Sequence, residues 1–357
     1  MKGSGDGYAP PCFKNRASIS AGGGLSIPYR EGEEAIDTDH YYGLWSAARD
    51  QIAAHLGHAV KLEIEPGRFL VAEAGVLVAQ VLCLGMELIK EELFSLLLEV
   101  LRSDGQDVVG VYERNDVAIR GLEGMEQGKG WHPVGGEKAP DFTAVDIEEN
   151  GIRYTVDFEN GQKTGFFLDQ KYNRQAVAKL ARGRTVLDCF THTGSFALNA
   201  ARGGAKHVTA VDVSEFAVAC ARENARRNGL SDVMECVAAN VFDLLPQLEQ
   251  QPKRYDFIIL DPPAFTKSRK TTQRAMTGYK EINYRAMRLL PRGGYLATCS
   301  CSHFATEELF LKMLRSAAKD AGVQLRQIEA RQQCCDHPIL WGVEETNYLK
   351  FYLFQVV

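Results

Sequence analysis

The sequence predicts an α/β protein whose main body is a doubly wound, largely parallel sheet. Three observations carry that expectation. From Gln170 to the C-terminus, short apolar runs alternate with segments of helical composition, the pattern of repeated βαβ units. The rim positions that follow these runs are polar, at Asp188, Asp212, Asn240, Asp261 and the Cys299–Ser302 stretch, and in open sheets ligands bind outside the C-terminal strand ends. Finally, Thr185–Asp188 leads through Gly194 and Ser195 into Phe196–Arg202, which reads as strand, small-residue turn and helix.

Taken in order, Tyr172–Ala181 has helical composition, Thr185–Asp188 is a strand buried on both faces, and Phe196–Arg202 is a crossover helix. Val208–Asp212 is the next strand. Ser214 can N-cap a helix over Glu215–Asn228, with Gly229 just past its end. Strand Met234–Ala238, helix Val241–Leu248 and strand Asp256–Leu260 follow, then helix Gly278–Leu290, strand Tyr295–Ser300 and helix Thr306–Gly322. Val323–Arg331 and Leu349–Val356 are the closing strands. Ahead of this body, Met86–Arg102 has apolar residues at helical spacing and acids toward its start. Val108–Tyr112 is a strand, Glu113–Asp116 a polar turn, and Val117–Ile119 resumes apolar. Phe142–Val145, Ile152–Phe158 and Phe166–Leu168 read as further strands, giving a small α+β domain. Domain boundaries are expected at 1–78, 79–160 and 161–357.

Composition narrows the function classes. The 357 residues carry a formal net charge of -5 and a pI near 6.0, so nucleic-acid binding must rest on a local basic patch. No apolar run approaches the length of a membrane span. No apolar core follows the Met1–Gly7 start, so no secretory leader is expected. Nine unevenly spaced cysteines read as reduced cytosolic thiols.

At the N-terminus, residues 1–20 read as a loose tail, Tyr42–Leu56 as an amphipathic helix and Val60–Ile64 as a strand. A glycine turn at Gly22-Gly23-Gly24 and a Glu65-Pro66-Gly67-Arg68 turn can both cradle a phosphate. A-G-G-G-L-S-I-P-Y-R, followed by L-E-I-E-P-G-R-F-L-V-A-E-A-G, resembles diaminopimelate decarboxylase over about residues 19–78. The resemblance implies part of a barrel, with Gly22, Gly23, Gly24, Glu65, Gly67 and Arg68 at the pyridoxal phosphate and substrate. It contains neither the strands bearing the Schiff-base lysine nor the C-terminal domain. The fragment is therefore expected to be catalytically inactive.

The chemistry-bearing residues lie along the rim. Asp212, about twenty residues after the Gly194 turn, can accept hydrogen bonds from ribose hydroxyls, so the site is expected to hold a nucleoside. The turn is not G-x-G-x-x-G, and Asp188 would repel a phosphate. It suits instead the amino and sulfonium groups of S-adenosylmethionine. Asp261-Pro262-Pro263-Ala264-Phe265 is a stiff lip, since two prolines fix φ and remove two donors. Such a lip is typical of methyltransferases acting on planar bases; the plain alternative is a rigid surface loop. Cys301 and Cys299 sit at the neighbouring strand tip as candidate nucleophiles. Lys267, Arg269 or His303 can promote ionisation of the thiol. Cys299, Cys301 and His303, with Cys334, Cys335 and His337, have the wrong spacing for zinc, so no metal is expected. Lys267, Arg269, Lys270 and Arg274 form a basic cluster suited to RNA phosphates, or simply a solvated loop.

G-Q-K-T-G-F-F-L-D-Q-K-x-N-R over Gly161–Arg174, then D-C-F-T-H-T-G-S-F, D-x-S, A-N-V-F-D, D-P-P-A-F, G-Y-K-E-I-N and S-C-S, resemble the bacterial large-subunit ribosomal RNA cytosine-C5 methyltransferases with a PUA domain. The resemblance covers about residues 79–357. It implies a Rossmann-like class I S-adenosylmethionine fold, a cytoplasmic enzyme and ribosomal RNA as partner. It also implies that Gln162, Lys163, Thr164, Gly165, Phe166, Asp169, Arg174, Asp188, Gly194, Asp212, Asn240 and Asp261 line the cofactor pocket. Phe190, Thr193, Ser195, Ser214, Val241, Phe242 and Pro262 are expected there with them. The S-C-S match puts the nucleophile on Cys301, with Cys299 as second candidate and Asp261 as the acid beside it. The family's PUA domain and the start of its central domain have no counterpart here, and the decarboxylase-like fragment stands in their place. Three alternatives remain: a guanine methyltransferase of the same fold, which shares the D-P-P-x-F lip and needs no cysteine; a pyridoxal-phosphate decarboxylase; and an inactive RNA-binding relic.

Overall fold

The computed structural model describes residues 17–22, 50, 60–65, 75–82, 84–134, 138–251, 255–266, 268–341 and 346–357, with 17–22 and 60–65 as backbone. The expected helix over Tyr42–Leu56 (apart from Asp50), the turn residues Gly23, Gly24, Gly67 and Arg68, and the basic Lys267 lie outside the described residues. The chain forms two compact units, Met1–Asp141 and Phe142–Val357.

In the first unit, β1 (Ala17–Gly22) and β2 (Val60–Glu65) pair in parallel, Ala17 opposite Val60. β3 (Val76–Ala79) is followed by α1 (Leu84–Ser103), β4 (Gly110–Arg114) and β5 (Lys129–His132). β4 runs parallel to β3 and antiparallel to β5. Ile89, Leu93, Phe94 and Leu98 recur at helical spacing and bury one face of α1. Phe94 and Leu98 pack with Leu77, Val81, Val108 and Val111. The apolar stretch Val117–Ile119 runs into a short 3-10 helix, Ala118–Glu123, closed by Gly124 at φ +72°.

The second unit opens with a hairpin of β6 (Ala144–Glu149) and β7 (Ile152–Asp157). Its main body contains α2 (Lys171–Ala181), β8 (Thr185–Cys189), α3 (Ser195–Arg202), β9 (His207–Asp212) and α4 (Glu215–Arg227). It continues with β10 (Met234–Ala238), α5 (Val241–Glu249), β11 (Phe257–Leu260) and α6 (Thr272–Leu289). β12 (Tyr295–Ser300), α7 (Glu307–Ala321), β13 (Leu325–Arg331) and β14 (Lys350–Val356) close the chain. The seven strands are ordered β10-β9-β8-β11-β12-β14-β13. The first five are parallel and β14 is antiparallel to both of its neighbours. The strand order reverses between β8 and β11, which puts a binding crevice over their C-terminal ends.

Sequence and packing agree in the centre. Phe257, Ile258, Ile259 and Leu260 are all fully buried, as expected for a strand covered on both faces. Leu245, Tyr279, Ile282, Met287, Phe310 and Leu314 from α5, α6 and α7 join Leu187, Ile258 and Leu296 in one core cluster. α2 packs on α3, and α4 lies on β9 and β10. The second unit begins at Phe142, ahead of the boundary expected at 161. The β6–β7 hairpin is fastened to it: Asn224 Oδ1 accepts from the Thr155 N–H at 3.1 Å and Asn228 Oδ1 from the Arg153 N–H at 2.9 Å.

Two expected elements differ. Phe166–Leu168 is not a strand, because Lys163 at φ +53° and Gly165 at φ +103° turn the chain, and Leu168–Gln170 then forms a 3-10 turn into α2. A Cβ on Gly165 would lie 2.7 Å from Val156 and 3.0 Å from the Asp157 carbonyl, so the turn requires glycine both for conformation and for space. α6 starts at Thr272, before the expected Gly278, and takes Arg274 into its first turns.

Candidate active site

The turn after β8 is built from unusual backbone. Phe190 (φ +66°) and His192 (φ +53°) are left-handed, as is Gly194 at φ +87°. Such strain persists only where surrounding contacts hold it. Thr191 donates its N–H to the Val211 carbonyl at 2.9 Å, and His192 donates its own to Asp212 Oδ2 at 2.9 Å. Asp188 Oδ2 accepts from the Thr191 hydroxyl at 2.5 Å and from the Ala197 N–H at 2.9 Å. A Cβ on Gly194 would come within 3.1 Å of Ala221 and Met234, so only glycine lets α3 start this close to α4.

Three carboxylates converge at the crevice. Asp188 is fully buried, and burial pushes its acid up to about 8. Asp261 is half-buried as a residue, with burial of its carboxyl and the charge of Asp169 raising it to about 7. Asp169 is buried, with Oδ2 accepting from the Tyr348 hydroxyl at 2.7 Å. Oδ1 of Asp169 and Oδ1 of Asp188 are buried without a hydrogen-bond partner. Buried carboxylate oxygens are costly unless something satisfies them. A ligand with cationic and N–H groups therefore fits this cluster, and S-adenosylmethionine, with its sulfonium and ammonium, has that chemistry.

Asp212 marks the next tip; its Oδ1 accepts from the Ser214 N–H at 3.0 Å, and both oxygens keep further acceptor capacity. Ser214 caps α4 through Ala217, and Asn240 caps α5 through Phe242, so both side chains have a structural use. Val241 is buried in the core. Phe242 is partly exposed and packs on Phe265, with ring centroids 5.8 Å apart. Phe190 faces Phe265 at 6.4 Å and Tyr279 stacks near it at 4.6 Å. Phe265 and Tyr279 complete this aromatic wall and were not picked out in the sequence, although Phe265 is part of the D-P-P-A-F lip. Pro262, within that lip, is buried. Thr193 and Ser195 flank Gly194, and the Thr193 carbonyl accepts from Asn224.

The Gly161–Arg174 segment separates into two groups. Gln162 and Lys163 are exposed, Thr164 and Phe166 half-buried. Lys163 Nζ lies 5.2 Å from the Phe167 ring. Arg174 is different: it is 1% exposed, donates from Nε and Nη2 to the two oxygens of Glu149 at 2.7 and 2.8 Å, and gives a third bond to the Phe167 carbonyl. Its guanidinium also lies 5.0 Å from the Phe166 ring. The structure thus spends Arg174 on holding the segment to the hairpin.

The two candidate nucleophiles also divide. Cys299 is fully buried and hydrogen-bonded with Asp261 and Gln170, and burial pushes its thiol far up. Cys301 lies just past the end of β12 and is half-buried. Burial and Asp261 raise its thiol to about 11, while the nearby Lys163 ammonium acts in the opposite direction. The residues on either side of Cys301 are anchored: Tyr279 hydroxyl bonds to Ser300 at 3.1 Å and Ser302 at 2.9 Å, and Lys350 Nζ donates to the Ser302 carbonyl at 2.8 Å. Lys350 is itself buried, which lowers it to about 8. No sequence motif pointed to Lys350, whose place follows from its register opposite Ser300 on antiparallel β14. Arg269, Lys270 and Arg274 are exposed at and just before the start of α6.

Residues 134–355 match the family model described as S-adenosylmethionine-dependent methyltransferase. The chain belongs to that family. Its cofactor is S-adenosylmethionine, in agreement with the acidic crevice. The methyltransferase is 41% identical over 286 residues to the ribosomal RNA large subunit methyltransferase I of Aeromonas salmonicida (strain A449), covering 80% of this chain and 70% of that protein. It is 38% identical over 314 residues to the protein of the same name from Cronobacter sakazakii, 88% of this chain and 77% of that one. Among solved structures, an S-adenosylmethionine-dependent methyltransferase of Streptococcus mutans has the same fold, with TM-score 0.67, 22% identity, and 91% and 83% of the two chains covered. A methyltransferase structure complexed with SAH matches equally, with TM-score 0.68, 22% identity and the same coverage. Residues 14–72 match a second model, the pyridoxal binding domain of pyridoxal-dependent decarboxylases. Among the described residues, no helix of the methyltransferase is long and apolar enough to cross a membrane.

Proposed function

We propose that this methyltransferase converts cytosine to 5-methylcytosine in large-subunit ribosomal RNA, with Cys301 as nucleophile and Asp261 as the acid at the base. The relatives named above supply the substrate class. The observation that carries the chemistry is the pairing of a half-buried cysteine with a carboxyl raised to about 7 at adjacent strand tips.

Carbon 5 of cytosine is not nucleophilic on its own. The Cys301 thiolate forms a bond to carbon 6 while Asp261 gives a proton to, or shares one with, N3, and the ring becomes an enamine at carbon 5. Bound S-adenosylmethionine supplies the electrophilic methyl group. A base removes the carbon 5 proton, the electron pair re-forms the 5,6 double bond, the Cys301 sulfur leaves as thiolate, and N3 returns its proton to Asp261. Asp261 at about 7 is poised to carry a proton near neutral pH. Lys163 favours the thiolate. The target base must leave its stack to reach Cys301.

In this reading Asp188, Asp169, Asp212, Gly194 and the Phe190–Phe242–Phe265 wall hold the cofactor, with Gln162, Lys163, Thr164, Gly165, Phe166, Thr193, Ser195, Asn240 and Pro262 around it. Arg269, Lys270 and Arg274, with Lys267, contact RNA phosphates in the cytoplasm. The guanine alternative leaves the placement of Cys301 beside Asp261 without a use. The test is an RNA carrying 5-fluorocytidine, whose fluorine cannot be removed as a proton, so a covalent complex accumulates. Cys301→Ala is expected to abolish that complex and turnover while S-adenosylhomocysteine still binds, and Cys299→Ala to retain it. Turnover by Cys301→Ala would refute the cytosine mechanism.

A further inference from the structure

Two side chains of the Gly161–Arg174 motif have no part in the function so far, yet both point toward Asp261. Gln170 and Asn173 are 3% and 1% exposed. Gln170 Nε2 donates to Asp261 Oδ1 at 3.0 Å. Asn173 Nδ2 donates to Gln170 Oε1 at 2.6 Å and to the Gln332 carbonyl at 3.3 Å. Arg331 Nε, on β13, donates to Asn173 Oδ1 at 3.1 Å. The four residues form a single hydrogen-bonded line from a guanidinium to the candidate catalytic carboxyl.

The direction of that line is fixed at both ends. A guanidinium only donates and a backbone carbonyl only accepts. Turning the Asn173 amide over would set its NH2 against Arg331 and its oxygen against the Gln332 carbonyl. Turning Gln170 over would set two NH2 groups face to face and an amide oxygen against a carboxylate. Each reversal strands buried polar groups. Arg331 therefore dictates the orientation of Asn173, Asn173 that of Gln170, and Gln170 presents an N–H to Asp261.

We infer that Arg331, Asn173 and Gln170 are positioning residues that commit Asp261 Oδ1 to accepting an N–H and leave Oδ2 as the oxygen that carries the proton to N3 of the base. The inference rests on the role of Asp261 proposed above. The groups facing Asp261 are Asp169 and Arg174 from the preceding segment, Asp188 from β8, and Cys299 and Cys301 from β12. Burial and then Asp169 raise the pH at which Asp261 ionises, Arg174 lowers it, and the Cys299 and Gln170 hydrogen bonds favour the ionised form. Removing that bond raises the pH at which Asp261 gives up its proton.

The experiment uses the full chain and three variants: Gln170→Met, which keeps length but cannot donate, Arg331→Met, which releases the line from its half-exposed end, and Asp261→Asn. Infrared titration, taken as the difference from Asp261→Asn, reads the Asp261 carboxyl directly. The pH dependence of complex formation with a 5-fluorocytidine RNA oligonucleotide reads its catalytic use, and calorimetry with S-adenosylhomocysteine reads the pocket. Gln170→Met is expected to move both the titration and the pH break upward by about one unit. Arg331→Met should move them in the same direction by less. S-adenosylhomocysteine affinity should stay within about three-fold of the natural chain. The inference is overturned if neither variant moves the Asp261 titration, or if affinity falls in step with every shift, which would make these residues part of the pocket wall. Should Gln170→Met not fold, the same criteria apply to Arg331→Met. If the titration moves while Asp261→Asn still forms the complex at the natural rate, the role of Asp261 at N3 is what fails.

Discussion

Arg174 gives the sharpest separation between a residue that binds cofactor and one that builds the site. Its side chain and that of Glu149 are 1% and 0% exposed, and the pair is bidentate at 2.7 and 2.8 Å. Replacing Glu149 by Leu leaves a fully buried guanidinium with only the Phe167 carbonyl and the Phe166 ring. Breaking one side of a buried pair costs about 3–5 kcal/mol. With a urea slope of about 3 kcal/mol/M, the midpoint should fall by more than about 1 M. Circular dichroism of the full chain measures it. Replacing both partners, Glu149→Leu with Arg174→Met, removes the stranded charge and should return most of the loss, since apolar isosteres often match buried ion pairs. The double variant should also bind S-adenosylhomocysteine with nearly natural affinity. A cost below about 1 kcal/mol for Glu149→Leu would refute the structural role. A double variant that is stable but does not bind would return Arg174 to the cofactor pocket, where the motif resemblance put it.

Asp188 and Asp261, raised to about 8 and about 7, bind protons in the folded chain that the unfolded chain has already released above about pH 4. Stability of the ligand-free protein should therefore fall as pH rises from about 4 to about 8, and Asp188→Asn should flatten that slope in thermal melts. An unchanged slope would show that Asp188 is not the source. Gly194→Ala should weaken S-adenosylhomocysteine binding and cost about 1–3 kcal/mol, because the residue is left-handed and its Cβ would crowd Ala221 and Met234 at 3.1 Å; natural stability and affinity would refute the packing argument. Changing Arg269, Lys270 and Arg274 to Gln should weaken RNA binding with little effect on S-adenosylhomocysteine. It should also reduce the salt slope by up to about 1 for each phosphate no longer neutralised. An unaltered salt slope would leave the cluster as a solvated surface.

What the sequence made legible was whatever depends on local pattern. The strands of the seven-stranded sheet were placed to within about two residues, because apolar runs such as Phe257–Leu260 and the cap Ser214 are read directly from residue order. The rim positions followed, since strand ends in a parallel sheet all point to one side. One misread segment was Phe166–Leu168, where an apolar triplet resembles a strand but follows a left-handed glycine and runs into a 3-10 turn that begins at Leu168. Long-range register was hidden as well. Nothing local places Lys350 opposite Ser300, or Arg331 next to Asn173, residues far apart in the chain and joined only by the antiparallel β14 and β13. The same holds for Cys299 and Cys301, which a strand-end reading leaves equivalent. β12 is buried continuously from Leu296 to Ser300, which covers Cys299 completely, and the end of the strand frees Cys301.

The acidity of the crevice connects fold to function. A sheet of this topology brings the tips of β8 and β11 together whatever their residues, and Asp188 and Asp261 there, with Asp169 from the turn ahead of α2, lose hydration and repel one another. Burial first, and repulsion after it, raise the acids of Asp188 and Asp261, and buried oxygens of Asp188 and Asp169 are left without a hydrogen-bond partner. Neither feature stabilises the fold. Both become favourable when a cation lies among them, because a positive charge lowers the cost of every ionised carboxyl it faces. In the proposed reading a cationic cofactor restores Asp188 to its charged form, whereas Asp261, beside Cys301, keeps a proton within reach of neutral pH. In that reading, one cluster of like charges thereby divides into a carboxylate that holds the cofactor and an acid that serves the base, and the division rests on which of the two the ligand's charge reaches first.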